Sequence, residues 1–112
     1  MSVTIYHNPR CSKSRETLAL LTERGVDPTV IEYLKTPPTV AELTAILAQL
    51  GMAPQDLVRK KDAKEAGLDL TVSTEQLIAA MVAHPAVIER PIVVANGKAR
   101  VGRPPESVLD IL

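Results

Sequence analysis

The order of apolar runs along the chain predicts an α/β fold: a β-α-β unit, then a helical insertion, then a β-β-α unit. Three observations carry this prediction. Strand-like and helix-like patterns alternate through the first 33 residues. Two Ser/Thr-x-x-Glu/Gln signatures, each opening an amphipathic run, mark helices in the middle of the chain. An Asn-Gly pair between two short apolar stretches marks a hairpin near the end.

Residues 3–6 alternate as a short strand, with Val3 and Ile5 on one face. His7-Asn8-Pro9-Arg10 cannot extend it, because Pro9 has no N–H and restricts Asn8. A helix is predicted over 12–24, burying Leu18 and Leu21 and stopping at Gly25. Residues 29–33 read as a second strand. Strand, helix, strand in that order implies a parallel pair. Thr36-Pro37-Pro38 breaks the pattern. Thr39 and Glu42 then cap a helix with Val40, Leu43, Ile46, Leu47 and Leu50 at helical spacing, ended by Gly51. The charged, aperiodic stretch 59–72 is expected to be loop or short irregular helices.

Ser73 and Gln76 cap another helix, with Leu77, Ile78, Met81 and Val82 inward and His84-Pro85 at its close. Residues 92–95 form a fully apolar strand, and Asn96-Gly97 turns it into an antiparallel partner over 98–101. Pro104 suits the first turn of a last helix, expected to bury Val108, Leu109 and Leu112. This is the thioredoxin-like plan, β-α-β then β-β-α, in one domain over 1–112 with the insertion at about 39–84.

The 112 residues suffice for a core without disulfides or a structural metal. That core must be almost wholly aliphatic, since Tyr6 and Tyr33 are the only aromatic residues. So few rings argue against nucleic-acid modules that stack bases. Thirteen basic and 13 acidic residues cancel, so no global charge draws the chain to nucleic acid or membrane. No window reaches the length of a membrane helix, and the start lacks a signal-peptide pattern. With one cysteine the expected compartment is the reducing cytoplasm. The two histidines, His7 and His84, give no metal-site spacing; His84 reads as structural. The sequence demands no more than a monomer.

The chemistry centres on Cys11. It sits at the predicted mouth of a helix, where terminal N–H groups lack partners and the dipole is positive. Arg10, Lys13 and Arg15 are nearby, and residues 1–15 contain no acid. These features favour thiolate over thiol, as would His7 if protonated, and they favour a bound anion at the same place. A lone cysteine is more often a small buried apolar residue, but the cationic helix mouth favours the reactive reading. Ser14 stands where a Cys-x-x-Cys motif would carry its second thiol, so a disulfide cycle needs an external one. Ser14 either donates a hydrogen bond to the thiolate or is an ordinary first-turn serine. His7 either tunes the thiolate or shuttles a proton, or it is a loop histidine bonded to backbone. By composition alone Arg59, Arg90 and Arg103 are solvated surface charges, although each adjoins a break in structure.

The run Tyr6-His7-Asn8-Pro9-Arg10-Cys11-Ser12-Lys13-Ser14-Arg15 closely resembles the active-site loop of the ArsC-type, glutaredoxin-linked arsenate reductases. Leu57-Val58-Arg59-Lys60, Glu89-Arg90-Pro91-Ile92-Val93-Val94 and Gly102-Arg103-Pro104-Pro105-Glu106 resemble the same family in the same order. The likeness spans nearly the whole chain and is strongest to the family's short, YfgD-like bacterial members. It implies that Cys11 is the nucleophile and that Arg59, Arg90 and Arg103 bind the oxyanion. It places His7, Ser14 and Arg15 in support of the thiolate, and a cis-proline at Arg90-Pro91. The implied cycle needs no bound cofactor. The thiolate attacks arsenate, glutathione as co-substrate attacks the adduct, glutaredoxin reduces the resulting mixed disulfide, and arsenite leaves. The alternatives are an Spx-like regulator that binds RNA polymerase and a general glutathione-linked thiol oxidoreductase.

Overall fold

Val3 and Ile5 alternate with Thr4 and Tyr6, and this period of two puts both aliphatic side chains on one face of strand β1 (Val3–His7). The computed structural model describes residues 2–112. The chain forms two units. The first comprises the residues up to Thr36 together with Arg90–Leu112, and the second comprises Pro37–Glu89.

In the first unit β1 is followed by helix α1 (Ser12–Glu23) and strand β2 (Thr29–Glu32). Strands β3 (Ile92–Ala95) and β4 (Lys98–Val101) complete a four-stranded sheet of order β2-β1-β3-β4. β1 pairs with β2 in parallel and with β3 antiparallel, and β3 pairs antiparallel with β4. This is the thioredoxin-like arrangement expected from the element order. The turn between β3 and β4 uses Asn96 at φ 54° and Gly97 at φ 74°, as a two-residue type I′ hairpin requires. The pairs Val3–Ala95 and Ile5–Val93 lie on one sheet face, and Leu21 of α1 packs on them with Val108 and Ile111.

Four expectations change here. Strand β1 runs one residue beyond the expected 3–6, through His7, which is held in register with Glu32 of β2; the break set by Pro9 begins only after it. The terminal segment Pro105–Ile111 is a 3₁₀ helix, not an α-helix. Its three-residue turn buries Pro105, Val108 and Ile111, so Leu109 and Leu112 are only half-buried. On α1 the buried stripe is Ser14, Thr17 and Leu21, and Leu18 is half-buried. Two polar side chains can occupy this stripe because both are hydrogen-bonded, Thr17 Oγ1 donating to the Lys13 carbonyl at 2.8 Å. The second strand ends one residue early, at Glu32, and Tyr33 beyond it is buried.

The second unit is helical: α2 (Val40–Leu50), α3 (Pro54–Leu57), α4 (Lys60–Glu65) and α5 (Thr74–Ala83), then a 3₁₀ turn over Pro85–Val87. Thr39 and Ser73 each form a complete capping box, with Glu42 and Gln76. Leu43, Ile46 and Leu47 of α2 and Leu77, Ile78 and Met81 of α5 are buried, while Val82 is half-buried. The stretch 59–72 contains one short helix, α4. Before it, Val58 bridges Ile88, and the Arg59 amide donates to the Val87 carbonyl at 2.7 Å. Among the described residues no helix is long and apolar enough to cross a membrane.

Candidate active site

β1 ends at His7, and the Asn8-Pro9 turn delivers the chain to Cys11, the N-cap of α1. The Asn8 side chain shapes this turn by accepting from the Arg10 amide at 3.0 Å, two residues on. The Asn8 carbonyl accepts from the Cys11 amide at 3.0 Å. Cys11 has extended backbone angles, φ −93° and ψ 124°, and no side-chain capping bond. Its sulfur, half-exposed, therefore lies at the mouth of α1, whose first turn carries no acid.

Burial alone would push the Cys11 thiol up. The backbone N–H groups of Ser14 and Lys13, and then the charges of Arg103 and Arg90, outweigh it and hold the group below its ordinary value. Arg103 Nη2 donates to Cys11 Sγ at 3.5 Å, and Arg103 Nε donates to the Arg90 carbonyl at 2.9 Å. The sulfur thus faces two amides and a guanidinium, all of which favour its negative form. The same donors would serve an oxyanion displaced along the sulfur's line of attack.

Ser14 contributes differently from expectation. Its backbone N–H serves the sulfur, whereas its hydroxyl, fully buried, accepts from the Asn8 amide at 3.0 Å and lies 2.6 Å from His7 Nδ1. His7 is 6% exposed. Burial lowers its pKa, opposed by Glu32 and assisted by Arg15, so at pH 7 the ring is neutral. His7 therefore braces Ser14 and adds no positive charge to the site. Arg15 is also occupied, Nη1 donating to the Pro9 carbonyl at 2.9 Å and so holding the loop from outside.

The structure thus brings together Cys11, His7, Ser14, Arg15, Arg90 and Arg103, all in the first unit. Both Arg90-Pro91 and Arg103-Pro104 are cis. Arg59 belongs to the helical unit, where its Nε lies 3.4 Å from Asp62 and 3.8 Å from Glu89 carboxylate oxygens. His84 is the C-cap of α5, its amide donating to the Ala80 carbonyl. Sequence reasoning passed over Asn8, although Asn-Pro is a turn-initiating pair and its neighbour's amide is its natural partner. It also passed over Thr17, which carries no sequence signal because only burial makes its hydroxyl significant. Among the described residues no group of three or more His, Cys, Asp or Glu side chains is arranged to hold a metal ion.

The model of the ArsC family matches residues 6–111. The chain is 59% identical over 114 aligned positions to the uncharacterized protein YfgD of Escherichia coli K12, covering 98% of this chain and 96% of that one. It is 50% identical over 115 positions to an arsenate reductase of Rhizobium meliloti, covering 100% of this chain and 82% of that protein. A solved arsenate reductase from Vibrio cholerae superposes with a TM-score of 0.95 at 57% identity, covering 100% of this chain and 98% of that one.

Proposed function

The chain belongs to the ArsC family, and from the donors that favour the anionic form of the Cys11 sulfur we propose that it reduces arsenate through a covalent bond to that sulfur. The observation that carries this reading is the group of donors on Cys11: the Ser14 and Lys13 amides and the Arg103 guanidinium, 3.5 Å away. The arsenate reductases among its relatives support the choice of oxyanion.

Cys11 attacks as thiolate. A sulfur–arsenic bond forms and one arsenic oxygen leaves as hydroxide or, with a proton, as water; arsenic remains pentavalent. Arg103 and Arg90 hold the remaining oxygens and offset the charge that builds as sulfur approaches an anion. Glutathione thiolate then attacks the Cys11 sulfur. A mixed disulfide forms, the sulfur–arsenic bond breaks, and its electron pair stays on arsenic, which is thereby reduced to arsenite. Two sulfurs have lost two electrons and arsenic has gained them. Glutaredoxin supplies the thiol that opens the mixed disulfide and returns Cys11 to thiolate. Ser14, in place of a second cysteine, supports this reliance on outside thiols. The family resemblance extends the oxyanion's partners to Arg59.

Purified protein with arsenate, glutathione and glutaredoxin is expected to release arsenite, and Cys11→Ser is expected to release none. Omitting glutaredoxin should leave glutathione on Cys11, visible as added mass. Arg59→Ala in the same assay should raise the KM for arsenate. Arsenite release by Cys11→Ser at the wild-type rate would sink the proposal, as would none from the wild-type protein.

A further inference from the structure

Three segments supply what Cys11 meets: the first turn of α1, the residues at Arg90, and the residues at Arg103. They converge on Gly102. The Gly102 amide donates to the Pro91 carbonyl at 2.9 Å. A Cβ placed on Gly102 would lie 2.5 Å from Thr17 Oγ1, 3.2 Å from Thr17 Cγ2 and 2.8 Å from Pro91 Cγ. No carbon sits that close to a non-bonded neighbour without something moving.

Neither neighbour can yield easily. Thr17 is fully buried, β-branched and bonded to the Lys13 carbonyl at 2.8 Å. Pro91 presents a closed ring. A methyl at 102 would therefore displace backbone, and the displaced residue carries Arg103 next to it. Gly25, Gly51, Gly67 and Gly97 have left-handed φ values between 69° and 74°, but Gly102 does not. Its missing side chain is what matters there, not its backbone freedom.

We propose that Gly102 is a positioning residue for the reaction: its missing Cβ lets α1, Pro91 and the Arg103 segment close, and so sets the separation of Arg103 from the Cys11 sulfur. Thr17 is the wall against which that separation is fixed. The inference rests on the thiolate reading of Cys11.

The test measures the rate of Cys11 alkylation by iodoacetamide against pH, with and without sulfate, alongside thermal unfolding. The wild-type midpoint is expected below the free-thiol value of about 8.5, with sulfate slowing the reaction. Gly102→Ala should move the midpoint toward that value, lower the rate several-fold at pH values below it, and weaken protection by sulfate. Gly102→Ala/Arg103→Ala should match Arg103→Ala alone. Gly102→Ala/Thr17→Ala, which removes two of the three obstructing atoms and leaves Pro91 Cγ, should move part of the way back toward Thr17→Ala.

A depressed wild-type midpoint left unmoved by Gly102→Ala would overturn the inference while leaving the thiolate reading intact. A wild-type midpoint at the free-thiol value would overturn both. Should Gly102→Ala fail to fold, the double variant with Thr17→Ala decides. Recovery of folding with any return of the midpoint toward its depressed value supports the inference, and no recovery of either overturns it.

Discussion

At Ser14 one residue does two jobs through two different groups. The amide faces the Cys11 sulfur, and the buried hydroxyl joins the Asn8 amide to His7. Ser14→Ala keeps the amide and strands two buried polar groups. It should lower unfolding free energy by about 1–3 kcal/mol in urea titrations while shifting the Cys11 alkylation midpoint little. His7 gives a pH signature of opposite sense to a salt-bridged histidine. Burial, the largest cause, depresses its pKa, so the unfolded chain binds a proton at a pH where the folded one does not. Its contribution is complete above the unfolded value of about 6.5 and is lost as pH falls from there toward the folded pKa. Wild-type protein should therefore lose more stability than His7→Gln between pH 7.5 and lower values, and the His7 ring should titrate by NMR below about 6.5. A His7 midpoint above that reference would contradict the assignment of a neutral ring. The setting of Cys11 was legible because its causes are partly local, a helix mouth and a run without acids. The job of the Ser14 hydroxyl was not, because a first-turn serine has several near neighbours and only packing chooses among them.

Elements follow the same division. Strand β1, the start of α1, both capping boxes and the Asn96-Gly97 hairpin were readable because each depends on residues a few positions apart. The Thr39 box is complete in both directions, Thr39 Oγ1 accepting from the Glu42 amide at 3.1 Å and Glu42 accepting from the Thr39 amide at 3.0 Å. Thr39→Ala should destabilise α2 by about 1 kcal/mol, seen as faster hydrogen exchange in its first turn. The final segment misled for a physical reason. Pro104, at the N-cap and not in the first turn, and Pro105 remove two N–H donors, and the seven residues that begin at Pro105 bury every third side chain. Residues 108, 109 and 112 fit an α-helical stripe equally well on paper. The half-buried Leu18 is a similar case, since a leucine outranks a threonine by hydropathy but not by the bonds it can satisfy.

At the largest scale, one cluster of buried residues in the first unit contains Leu21. It joins Val3 and Ile5 of β1, Val93 and Ala95 of β3, and Val108 and Ile111 of the terminal segment. Leu21 is fully buried. Leu21→Ala should cost about 2–5 kcal/mol by cavity formation, read from thermal or urea unfolding. Because the same helix presents the Lys13 and Ser14 amides, the variant should also raise the Cys11 midpoint. A large loss of stability with an unmoved midpoint would show that the first turn of α1 is held by Ser14 and Thr17 alone. The order of strands and helices, the helix caps, the hairpin and the placing of Cys11 at a helix mouth were legible along the chain, because short-range sterics and hydrogen bonding fix these. The closing of the tertiary fold is what brings Arg103, 92 positions away, to donate to Cys11. It alone decided that Arg90 offers its carbonyl to Arg103, and that Gly102 lacks room for a methyl group. Such contacts depend on how strands and helix close on one another, and no local pattern encodes a distance between residues so far apart along the chain.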